Sequence, residues 1–167
     1  MVVHELVYFW LLGAIVLCVL CYCAVIDVRS HRIPNPAVLA ILGLAVLHMT
    51  LEGIVTRSFH PLLQGFGGFL AGIVPFALII LLTRGGMGAG DMKLFGAVGA
   101  FLGLRMAVAF ILLTIVLAGF VSAFWLLSSR KDRKAAIPMA PFMAVAYLAV
   151  MVFQPCIADF LRVYYGI

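Results

Sequence analysis

Two carboxylates, Asp27 and Asp91, are the side chains of this sequence best set to do chemistry. Six residues are acidic: Glu5, Asp27, Glu52, Asp91, Asp132 and Asp159. Glu5, Glu52 and Asp159 fall at outer ends of apolar stretches, where water can solvate them. Asp132 is embedded in the run Arg130-Lys131-Asp132-Arg133-Lys134, a solvated loop. Asp27 instead closes the first long apolar stretch and Asp91 opens the fourth. An ionisable group at the edge of a membrane span is costly to keep there and marks a functional position by default. Two carboxylates about 3 Å apart cannot both ionise, so they share a proton. One can then activate a water while the other polarises or protonates a scissile amide. Sequence alone leaves a second possibility open, in which each aspartate pairs separately with a basic neighbour such as Arg29 or Lys93.

The segment before Asp91 is Gly85-Gly86-Met87-Gly88-Ala89-Gly90. So many glycines let the backbone approach a substrate strand closely and expose the carboxylate. A phosphate cradle is the competing use of such a loop. It is disfavoured here, because no Gly-Lys-Ser/Thr ending follows and an aspartate at the helix start would repel phosphate. Other protease chemistries fail on residue types. His4-Glu5 opens like a zinc-protease motif, but position 8 is Tyr. No serine in a Gly-x-Ser context lies within a span, and His31, His48 and His60 fall in loops or near an outer helix end. Cys18, Cys21 and Cys23 lie within the first span, where cysteine behaves as a small hydrophobe, and Cys156 belongs to the other membrane face. Neither a metal nor any cofactor is expected.

The elements that must position the aspartates are membrane helices. The chain is 66% hydrophobic and 10% charged, too poor in polar residues to clothe a soluble domain of 167 residues. A core-spanning helix takes roughly 20 apolar residues. Apolar windows and their breakers predict an all-α protein of one domain, residues 1–167, with about six spans: Leu6–Ile26, Pro36–Leu51, Leu62–Thr83, Asp91–Leu104, Met106–Leu127 and Met139–Asp159. The first stretch is too long for a removable signal, has no Lys or Arg before it and ends in Ile26-Asp27, so it is expected to stay as a span.

Basic residues set the orientation. Arg29, Arg32, Arg84, Lys93, Arg130, Lys131, Arg133 and Lys134 fall in one alternating set of loops, whereas the other set holds Arg57, Arg105 and Arg162. The positive-inside rule then puts the 27–35, 84–90 and 128–137 loops in the cytoplasm and both termini outside. The net charge of +5 is thus explained by topology, and nucleic acid is not an expected partner. Both aspartates come to the cytoplasmic level. Small residues four apart, Gly68/Gly72 and Gly99/Gly103, predict close packing between spans of one molecule.

Three segments carry a family resemblance. Gly88-Ala89-Gly90-Asp91-Met92-Lys93-Leu94 resembles the G-x-G-D-x-K-L signature of type IV prepilin peptidases. Asp27-Val28-Arg29-Ser30-His31-Arg32-Ile33-Pro34-Asn35 is similar to that family's D-x5-I-P-N segment, and Ile137-Pro138-Met139-Ala140-Pro141-Phe142 to its I-P-x-x-P-F stretch. The resemblance implies an aspartyl endopeptidase of the cell inner membrane, without cofactor or metal. It would remove the cytoplasmic leader of prepilins or pilin-like proteins with a single membrane helix, in type IV pilus systems. Asp27 and Asp91 would be the catalytic acids, Gly88 and Gly90 would shape the loop, and Lys93 would support it. Larger members carry a cytoplasmic region with paired cysteines and also methylate the new N-terminus. Nothing in these 167 residues corresponds to it, so cleavage without methylation is expected, as in short Tad/Flp-type prepilin or archaeal preflagellin peptidases.

Helix ends suggest a division of labour. Asp91 at a helix N-terminus would be the ionised base, and Asp27 near a C-terminus the protonated partner. Two rivals remain: a proton-coupled transporter using the aspartates as a relay, and a non-enzymatic scaffold for pilus assembly.

Overall fold

The structure is a computed structural model that describes the backbone of residues 2–83, 88–128 and 138–165, and the side chains of residues 8–82, 88–124 and 138–154. Among these residues the chain is helical: α1 (Val2–Ser30), α2 (Asn35–Thr56), α3 (His60–Thr83), α4 (Ala89–Ser128) and α5 (Ala140–Tyr165). Four stretches are long and apolar enough to cross a membrane: Tyr8–Ser30, Asn35–Thr56, His60–Leu82 and Ala89–Phe124. A shorter apolar stretch covers Ala140–Gln154. Gly85, Gly86 and Met87, most of the 128–137 loop with Asp132 and its basic neighbours, and the side chains of Glu5, Cys156 and Asp159 lie outside the described residues.

Local chemistry sets the helix ends. His31, at φ 50°, takes the left-handed conformation that closes α1, and its N–H donates to the Asp27 carbonyl at 2.8 Å. Pro34, which has no N–H to give, then stands at the N-cap of α2, with Pro36 in the first turn, where a missing donor costs nothing. Arg57 ends α2 in the same left-handed way, at φ 49° and ψ 39°. Helix α1 therefore runs one turn past Ile26, the expected boundary, and Asp27 lies inside it.

Helix α4 is 40 residues long but is not one rod. Gly103, at φ 73° and ψ 166°, breaks it in a region of backbone space essentially reserved for glycine. The rings of Phe95 and Phe110 lie 5.6 Å apart between centroids. In a straight helix, residues fifteen apart would be separated by about 22 Å along the axis. The element thus doubles back at Gly103 into an arm over residues 89–102 and a second over 104–128. The turn falls at Gly103 rather than at Arg105, the residue between the fourth and fifth expected spans.

The first arm is the centre of the bundle. Every residue from Leu94 to Phe101 is buried, the signature of a helix surrounded on all sides. Helix α3 lies against it at glycine contacts. A Cβ on Gly68 would collide with the Gly99 carbonyl, and one on Gly72 would come within 2.7 Å of the Gly96 nitrogen. In lipid, where apolar burial gives helices little reason to associate, such close backbone packing supplies the attraction. Elsewhere the outer surface is apolar: Leu39, Leu63, Leu82, Phe120 and Phe124 are all largely exposed. A contiguous coat of this kind suits a bilayer.

Candidate active site

The sequence segments singled out above meet at one end of the bundle. Asp27 sits in the last full turn of α1 and is buried, 5% exposed. Its Oδ2 accepts a hydrogen bond from the Ala140 N–H, 3.0 Å away at the start of α5. Asp91 sits in the first turn of α4, half-buried. Its own N–H donates to the Gly88 carbonyl at 3.1 Å, which folds the end of the Gly-rich segment into the helix start. Asp27 and Asp91 thus lie at the same end of the bundle, on helices α1 and α4.

Two contacts lock the Asp27 turn to the Asp91 turn. A Cβ on Gly90 would come within 3.2 Å of the Ile33 Cβ, so the third residue of one segment fits closely against the seventh of the other, and a larger residue there would press Ile33 back. Beside it, Lys93 Nζ donates to Asn35 Oδ1 at 3.5 Å, a long and exposed hydrogen bond. Gly88 faces the Asp91 carboxylate itself; a side chain there would begin 3.1 Å from Oδ2.

The sequence brought out Asp27, Gly88, Gly90, Asp91 and Lys93, and all five lie in this cluster. It missed the Ala140 amide, because a backbone donor has no letter of its own. The Pro138 and Pro141 bracket around it was the available signal. The division of labour drawn from helix ends loses its basis. Asp27 does lie in the last turn of α1, but its carboxylate points at the N-terminus of α5, so both aspartates stand at helix N-termini.

Below the site, α1 and α5 are joined by the buried Tyr147 O–H, which donates to the Gly13 carbonyl at 3.1 Å. Cys23, one turn from Asp27, is buried, whereas Cys18 and Cys21 are exposed on the outer face of α1.

Comparison with known proteins identifies the family. Residues 14–123, including both aspartates, match the type IV leader peptidase family. A prepilin leader peptidase/N-methyltransferase of Xanthomonas campestris is 31% identical over 136 residues, covering 80% of this chain and 47% of the relative. The protein of that name from Bacillus subtilis is 28% identical over 140 residues, 82% of this chain and 53% of its own. That from Legionella pneumophila is 29% identical over 127 residues, 75% and 44%. The chain thus spans about half the length of the curated relatives it matches. No solved structure matches it. With a family match that takes in well over half of its residues and both aspartates, the chain belongs to the type IV leader peptidase family.

Proposed function

We propose that this protein is a membrane-embedded aspartyl endopeptidase that cleaves the leader of prepilins or pilin-like proteins, with Asp27 and Asp91 as its catalytic pair. The observation that carries this is the joining of the Asp27 turn to the Asp91 turn through Ile33 against Gly90. Two carboxylates from segments 64 positions apart in number (91 minus 27) are thereby held at one end of one bundle. The matched relatives bear two activities in their name, and the matched region includes both aspartates.

In the proposed reaction the pair holds one proton between its two carboxyls. The ionised carboxylate takes a proton from water as the oxygen attacks the scissile carbonyl carbon. The protonated partner gives its proton to the amide nitrogen as the carbon–nitrogen bond breaks. The hydroxyl ends on the new carboxyl terminus, the hydrogen on the new amine, and the pair is again singly protonated.

The doubling back of α4 supports six crossings, with α4 supplying two of them, and with both termini on one side. The bias of basic residues supports an active site at the cytoplasmic face of the inner membrane. A substrate with one membrane helix could then present its leader there without leaving the bilayer.

The test is cleavage of a co-expressed prepilin-like substrate by wild type, Asp27→Asn and Asp91→Asn, with equal insertion of all three checked by membrane fractionation. Loss of cutting in both variants is the expected result. Near-normal cutting by either one would rule out the shared-proton mechanism.

A further inference from the structure

We infer that the N-terminus of α5 is the positioning device for Asp27, acting through the backbone N–H of Ala140. This rests on the catalytic role proposed above for Asp27.

The first turn of a helix has orphan N–H groups to dispose of, and in α5 those from Ala140 to Met143 can be followed. The Phe142 and Met143 N–H groups both donate to the Met139 carbonyl, each at 3.1 Å, and so turn inward on the helix itself. Pro141 has no N–H. That leaves Ala140, whose N–H points away from α5 and donates to Asp27 Oδ2 at 3.0 Å across the α1–α5 boundary. The partners are 113 residues apart in the chain, so only the folded bundle brings them together. The acceptor is an almost fully buried carboxylate, and among the described residues this is the donor that reaches it. Ala140 is itself fully buried, which lets α5 approach α1 to within hydrogen-bond distance.

A carboxylate on the last turn of a helix would otherwise rotate freely about two side-chain bonds. One charge-assisted bond from a rigid helix end fixes both torsions. Committing Oδ2 to Ala140 leaves Oδ1 as the oxygen that serves water and substrate. The Pro138-Met139-Ala140-Pro141 segment then has a defined role, starting α5 abruptly and supplying a single donor aimed at Asp27. Ala140 is a positioning residue and touches no substrate.

The test compares Ala140→Pro with Ala140→Gly in the full chain, in membranes, measuring kcat and KM for a prepilin-like substrate. Proline is tolerated in a first helical turn and removes the N–H, while its Cδ also pushes into the space of Asp27 Oδ2; glycine keeps the N–H and adds nothing. Ala140→Pro is expected to lower kcat about ten- to a hundredfold with KM unchanged, as for a lost hydrogen bond to a charged group. Ala140→Gly should stay within about threefold of wild type. Should proline reduce the amount of inserted protein, the alanine at 140 can be replaced by its α-hydroxy acid. That change turns the amide into an ester without altering its shape, and the same loss of kcat is expected. Wild-type kcat in the proline or ester variant, an equal loss with glycine, or a loss carried by KM would each overturn the positioning role. Silence of wild type itself on the substrate would instead sink the peptidase function on which the role rests.

Discussion

The two ends of the bundle are held together by different physics. At the aspartate end, two polar side-chain contacts join residues distant in sequence: Ala140 to Asp27, and Lys93 to Asn35. At the opposite end, a cavity of about 500 Å³ is lined by His48, Glu52, His60, Gln64 and Arg105 among aromatic side chains. There two polar side-chain contacts run within single helices, four residues apart: His48 with Glu52 at 3.7 Å, and Gln64 with His60 at 3.4 Å. What joins the helices at that end is packing: Phe9 stacked on Phe101 with ring centroids 5.7 Å apart, Gly68 against Gly99, and the reversal at Gly103. One end fixes the direction of a few atoms. The packing at the other sets how closely helices approach. A site that must aim a carboxylate needs the first kind of contact, and an anchor needs only the second.

That contrast can be broken by substitution. The largest effect belongs to Asp27→Asn and Asp91→Asn, each expected to reduce cleavage by about 10²–10⁴-fold or more while leaving insertion intact. Next comes Gly68→Leu at the far end, expected to do the reverse. The Gly99 carbonyl has nowhere to go, so the cost is about 1–3 kcal/mol or above, read as a loss of assembled protein. Whatever fraction does assemble should cut at the wild-type rate; a slow but well-assembled variant would mean the two ends are coupled.

Gly103→Ala tests the turn alone. The backbone there costs any side chain about 1–3 kcal/mol, so a lower unfolding temperature in detergent is expected, and an unchanged one would mean that the reversal is not strained. Asn35→Ala is the mildest. The bond it removes is long and exposed, so cleavage should fall less than about fivefold. A drop as large as that of the aspartate variants would move Lys93 from support to chemistry.

Much of the site could be read from residue types, because charge in an apolar chain has few explanations. Asp27 and Asp91 stand out once the solvated acids are set aside, and Gly90 is visible as part of a glycine run. Its contact with Ile33 is not, since close approach of two turns leaves no mark in either segment. The glycine pairs announce tight packing, and the structure puts α3 against the first arm of α4 at Gly68 and Gly99. Gly103, however, reads in sequence as a small packing residue. Its real work is a positive φ, and a packing glycine and a turning glycine look alike in sequence. The helix-end assignment of the two aspartates fails for a related reason. It considers only the helix to which each aspartate belongs, whereas Asp27 also lies at the end of another one.

The bond between Asp27 and Ala140 also sets an order in time. Helix α5 follows α1, α2, α3 and α4 in the chain, so a ribosome releases it after both aspartates are already in the membrane. Until α5 inserts, Asp27 has no helix end to face. On the proposed mechanism, a half-made chain would then carry both acids yet be unable to aim one of them, and would cut nothing until α5 is in place.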